Sequence, residues 1–158
     1  MSVPVENEVL NALMRRFRAA ATVTSLLASI PDPNPLKGPC IFFEQSASGG
    51  FGFPLIVIQN PSNNLRGTDV EGWLGGRDSL IVDIFGPGID VLHQIAAAVD
   101  QEITIVQPVD TTNFVLTILR RTGPWRTLNW REHEMSRGNK LSQLTADWLL
   151  VSGRKQGI

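Results

Sequence analysis

The sequence predicts an α+β domain: a mainly antiparallel four-stranded sheet with helices packed on it, in the order helix, strand, strand, helix, strand, strand. Three observations predict it. Apolar residues recur with the helical period near the start and in the middle of the chain. Four other segments carry the alternation or the β-branched composition of strands. Two long stretches rich in turn residues, 60–77 and 122–139, lie between them. At 158 residues the chain makes one domain, 1–158, long enough to bury roughly two-thirds of the surface its unfolded form exposes.

In residues 5–21, Leu10, Leu13, Met14, Phe17 and Ala21 fall on one helical face. Pro4 suits the first turn, and Glu6 and Glu8 ahead of Arg15, Arg16 and Arg18 complement the helix dipole, so these charges read as a solvated face. The run "TVTSLLASI" either extends this helix or forms a short second one. "PDPNPLKGP" then ends it in a surface loop, because its prolines deny helix hydrogen bonds. "CIFFEQ" is a candidate short strand and "SASGGFG" a flexible connection.

The core sheet begins around Pro54 with "FPLIVIQN". In "DSLIVDIFG", Leu80, Val82 and Ile84 share one face, and Ser79, Ile81, Asp83 and Phe85 the other. A buried Asp83 would need a partner, so the expectation places it on a partly exposed face or one covered by another subunit. Gly86-Pro87-Gly88 then leads into a helix whose Ile89, Leu92, Ala96, Val99 and Ile103 form an apolar stripe directed at the sheet. This turn lacks G-x-G-x-x-G and G-x-x-x-x-G-K-[ST], the patterns that let backbone approach phosphate, and reads as a change of direction. Gly86 and Gly88 are free to take unusual dihedrals, Pro87 fixes one torsion, and Asp90 favours the helix start. The last two strands are "TTNFVLTILRR", with Phe114, Leu116 and Ile118 facing one way, and "LSQLTADWLLVS", with Leu144, Ala146, Trp148 and Leu150 facing one way.

With 14 basic and 15 acidic residues the net charge gives no general attraction to polyanions or membranes. No stretch of about 18 apolar residues is present to span a bilayer, and the first residues lack the unbroken apolar core of a signal peptide, so the expectation is a soluble, unexported protein. Cys40 is the single cysteine, which excludes an internal disulfide and a multi-cysteine metal site, and reads as a packing residue. His133 lies between Glu132 and Glu134 without the H-E-x-x-H spacing of a zinc site, and His93 sits beside the apolar stripe of its helix with no nucleophile in view. Neither the histidines nor the glycine-rich "SGGFGF" and "GWLGGR" justify a metal or a cofactor.

Trp73, Trp125 and Trp130, three of four tryptophans, fall in the long loops instead of the periodic elements. Large aromatics there either pack a loop onto its own domain or anchor an interface. Leu74 adjoins the first, and Arg120, Arg121, Arg126 and Arg131 flank the others, a composition that favours the interface. These eight residues are the candidate contacts with other subunits or partners.

The chain resembles the tail-terminator, or tail-completion, proteins of long-tailed bacteriophages. The resemblance is carried by the order of "VENEVLNALMRRF", "FPLIVIQN", "RDSLIVDIFGPGIDVLHQIAAAVDQEI" and "LSQLTADWLLV". It implies a structural protein, not an enzyme, forming a ring, usually of six copies. That ring caps the tail tube, meets the head-tail connector or neck, and sits in the virion after assembly in the bacterial cytoplasm. If DNA threads the ring, the lumen should guide it without specific binding, since strong phosphate attachment would hinder passage. Another neck or head-tail joining protein is the alternative virion reading. A small cytosolic binding module and an enzyme built on His93, His133 or Cys40 are the competing classes.

Overall fold

The computed structural model describes residues 8–29, 41–43, 54–61, 75–86, 88–129 and 142–155. Its elements run α1 (Glu8–Ala19), α2 (Ala21–Ser29), β1 (Ile41–Phe43), β2 (Leu55–Gln59), β3 (Gly75–Gly86), α3 (Ile89–Ile103), β4 (Val109–Asp110), β5 (Phe114–Arg121), β6 (Arg126–Asn129) and β7 (Ser142–Arg154).

The expected four-stranded antiparallel sheet is corrected to a seven-stranded mixed one, ordered β1-β2-β3-β7-β5-β4, with β6 also paired to β7. β1 runs parallel to β2, in the register Ile41↔Ile56 to Phe43↔Ile58. Of the three strands added to the expected four, β1 falls on the candidate short strand "CIFFEQ", while β4 and β6, of two and four residues, lie where no strand is expected. Pieces that short show no alternation; they are strands only because a longer neighbour pairs with them. β6 lies inside the stretch expected to be loop. Parallel pairing was equally invisible, because a strand alternates its side chains in the same way whichever direction its partner runs.

β3 and β7 form the spine, pairing antiparallel from Gly75↔Gly153 to Gly86↔Ser142. Leu80, Val82 and Ile84 of β3 and Leu144, Ala146, Trp148 and Leu150 of β7 are buried on one face, as their alternation predicts. α3 covers that face with Leu92, Ile95, Ala96, Val99 and Ile103. Burying this set contributes roughly 1.5–3 kcal/mol per large aliphatic side chain relative to leaving it in water.

α1 turns Val9, Leu13, Met14 and Phe17 inward, while Leu10 is half-buried and Ala21 exposed. Ala21 leaves the stripe because the first helix ends at Ala19: Ala20 N–H bonds back to Phe17 O at 3.3 Å, and α2 starts at Ala21. On β5, Phe114 and Leu116 are buried as expected, but Ile118 is not their companion. The register slips between Leu116 and Ile118, so Leu119 takes the buried position opposite Leu150. A bulge inserts one residue and exchanges the faces beyond it.

Gly88 has φ −145 and ψ 130, an extended conformation open to any residue, so the expected unusual dihedral is not found there. The constraint at Gly86 is space. A Cβ on Gly86 would lie 2.8 Å from Leu92 Cδ2 and 3.2 Å from Pro54 Cβ. The glycine lets the last residue of β3 touch both the first turns of α3 and the entry to β2.

Candidate interaction surface

Of the eight sequence-predicted interface residues, Trp73, Leu74, Trp130 and Arg131 lie outside the described residues. The other four cluster on β5, β6 and the turn between them. Arg121 ends β5 on the helix-covered side and reaches Asp100 of α3 with Nε–Oδ1 3.0 Å and Nη2–Oδ2 3.3 Å, while Nη1 donates to Gly123 O at 2.6 Å. Trp125 Nε1 donates to the same carboxylate, at 3.2 Å from Oδ1 and 3.1 Å from Oδ2. The Arg121 guanidinium lies 5.9 Å from the Trp125 ring centre, and the ring meets buried Trp148 edge-on at 6.4 Å. Asp100 thus gathers a cation and an indole N–H, and the turn 122–125 is held to α3 and the core. Trp125 and Arg121 are half-buried within their own chain.

Arg120 and Arg126 point the other way and are exposed. Arg126 approaches Asp147 only to 3.7 Å, with more than half of each side chain accessible, a pair worth at most about 1 kcal/mol. Arg126, Thr127 and Leu128 are exposed in succession, so both faces of β6 meet solvent. A strand exposed on both faces contrasts with β2, which is buried on both. Leu128 is 45% exposed and Val106, between α3 and β4, 89%.

A groove of about 580 Å³ lies between the α1–α2 junction and β4, lined by Ala12, Ala20, Ile105 and Leu116 among others, and Val106 follows Ile105 in the chain. The groove is built by polar bonds between elements distant in sequence. Arg16 donates from Nε to Ile103 O (2.6 Å) and from Nη2 to Thr104 O (2.9 Å), covering carbonyls that end α3 without an intrahelical partner. Burial lowers its ordinary pKa. Glu102 Oε1 accepts the Thr22 N–H at 3.1 Å, at the start of α2. The bonds from Thr22 outweigh the opposing cost of burial and lower the carboxyl pKa, as expected for an anion at a helix N-terminus.

Glu8, at the other end of α1, accepts the Thr111 hydroxyl on Oε2, the Asn113 N–H at 2.8 Å on Oε2 and Asn113 Nδ2 at 3.1 Å on Oε1. Burial alone would raise its pKa, but these donors together outweigh burial and lower it. The sequence reads Glu8 and Arg16 as part of a solvated face and carries no signal that singles out Glu102. Their bonding partners lie 80 to 105 residues away, beyond any local pattern.

On the opposite face of the sheet, the expectation for Asp83 is corrected. It is buried within its own chain, 4% exposed, between Gln59 Nε2 (2.8 Å) and Gln143 Nε2 (3.0 Å). The two amides come from the strands on either side, so the carboxylate is satisfied across β2, β3 and β7. His93 is exposed on α3; Cys40 and His133 lie outside the described residues. Among the described residues no group of three or more His, Cys, Asp or Glu side chains is placed to hold a metal, and no helix is long and apolar enough to cross a membrane.

No family model matches the chain, and no curated protein matches it. Among solved structures it resembles a chain of the one described as "Virion of native gene transfer agent (GTA) particle". The TM-score is 0.54 over 92% of this chain and 95% of that chain, at 12% sequence identity. The likeness is one of fold, and it extends over nearly the whole of both chains.

Proposed function

We propose that this chain is a structural protein of a phage-like virion, forming a ring that caps the tail tube and joins it to the head-tail connector. The observation that carries the reading is the end-to-end likeness of fold to a chain from a gene transfer agent virion. The surface supports it: an exposed two-faced strand, an open alanine-floored groove and the near-fully exposed Val106 are features of a molecule that works by contact. On this reading the protein catalyses nothing and binds no cofactor, its partners are further copies of itself, tube and connector, and DNA passes the lumen without specific attachment.

The test is native mass spectrometry of the purified full chain, followed by electron microscopy after mixing with tail tubes. A ring of about six copies seated on tube ends is expected. A chain that stays monomeric at all concentrations and leaves tube ends bare would overturn the reading. A ring that binds connector but ignores tubes would place the protein one step along the neck instead.

A further inference from the structure

We propose that the groove between the α1–α2 junction and β4 receives the exposed β6 strand of a second copy, with Leu128 on the alanine-lined floor and Arg126 facing Asp110. This rests on the ring reading and names the two surfaces that would meet in it.

Four observations point to that pairing. First, Val106 and Leu128 are the exposed large apolar side chains among the described residues; Val106 directly follows Ile105, which lines the groove, and Leu128 lies on β6. Second, the patches cannot meet within one chain. Leu128 pairs with Gln143 at one end of β7, and Leu116 of the groove pairs with Ser152 near the other. Nine residues of strand at about 3.3 Å each separate them by roughly 30 Å. Third, they are unlike in shape, one a concavity of about 580 Å³ floored by small side chains, the other a projecting edge strand with both faces exposed. A contact between unlike patches at opposite ends of a molecule is heterologous, the kind that closes into a ring.

Fourth, the charges at the two patches complement each other. Asp110, 70% exposed on the strand wall of the groove, has Lys155 only at 4.0 Å; Arg126, 56% exposed, has Asp147 only at 3.7 Å. Arg15, on the helix wall, is an exposed cation that can face Asp147 when Arg126 faces Asp110. Long, exposed pairs hold little energy, so exchanging partners across an interface costs little. The outer edge of β6 also offers backbone groups that β7 does not use, which an approaching chain can pair.

The experiment measures assembly of the full chain by native mass spectrometry over a concentration series, with circular dichroism confirming that each variant is folded. L128D should weaken association by at least about tenfold, since it puts a charge against an apolar floor. R126E and D110R should each weaken it by about tenfold, and the double variant should recover most of the loss. Within one chain the two positions are several Debye lengths apart, so recovery can arise only between copies. Mixing separately purified R126E and D110R chains should also restore assembly, with alternating copies. Wild-type rings that persist in L128D and both charge variants, or a double variant weaker than either single one, would overturn this pairing and leave the ring reading intact. A wild-type chain that forms no ring would remove both.

Discussion

Replacing Gly86 by alanine sets two effects of opposite sign against each other. Removing a glycine restricts the unfolded chain and, where the native backbone is compatible, stabilises by about 0.4–1 kcal/mol. Gly86 ends a regular strand and has no positive φ, so that gain is available. Against it, the new methyl would sit 2.8 Å from Leu92 Cδ2 and 3.2 Å from Pro54 Cβ, well inside the roughly 3.5–4.0 Å of an unstrained carbon contact. Leu92 is fully buried and cannot swing into solvent, and the Pro54 ring does not rotate away. Overpacking of this kind costs about 1–3 kcal/mol, so the clash wins and G86A is expected to be destabilised by about 0.5–2 kcal/mol. For a chain of this length that lowers Tm by about 1–8 °C. The decisive assay is a double-mutant cycle by chemical denaturation. L92A alone should cost about 2–5 kcal/mol, and G86A/L92A should cost less than the sum by at least about 0.5 kcal/mol, because the added methyl then has room. If G86A is as stable as wild type, or if the two changes add, the close approach at the end of β3 is not what requires a glycine there.

Glu8 has a lowered pKa in the folded chain, so its bonds to Thr111 and Asn113 contribute fully above the ordinary carboxyl value of 4.5 and are lost as pH falls below it. Wild type should therefore exceed E8Q in urea midpoint at pH 7, with the gap closing as pH falls below 4.5; a gap independent of pH would contradict the assignment. R16M should cost about 1.5–3 kcal/mol by uncovering the carbonyls of Ile103 and Thr104, and hydrogen exchange should quicken in the last turn of α3 before any other part of that helix. D83N sets an amide donor against Gln59 or Gln143 and should cost about 1–3 kcal/mol without changing the denaturant slope. An unchanged midpoint would show that the carboxylate does not hold the three strands together.

Much of the fold was readable because burial is periodic. The faces of β3 and β7 followed from the alternation of Leu80, Val82 and Ile84 and of Leu144, Ala146, Trp148 and Leu150, and α3 from its stripe. Where the reading failed, a local pattern met a non-local cause. The β5 bulge moved burial from Ile118 to Leu119, and the pattern of a strand carries no sign of one extra residue opposite its partner. At the candidate surface, Trp125 and the arginines beside it were legible as unusual loop chemistry. What was not legible is that Arg121 and Trp125 share the Asp100 carboxylate while Arg120 and Arg126 face outward.

The sequence alone determined which residues avoid water and with what period, since that depends on each side chain and its near neighbours along the chain. It therefore determined α1 and α3, the long strands, and the inward faces of α3, β3 and β7. Tertiary structure decided what depends on partners far away in the chain. It made strands of β4 and β6, gave β1 its parallel direction, buried Asp83 between two glutamines, and turned Glu8, Arg16 and Glu102 from surface charges into ties between elements. A hydrogen bond is set by distance and angle in space, and residues 80 to 105 apart in sequence meet those conditions only once the sheet has brought them together.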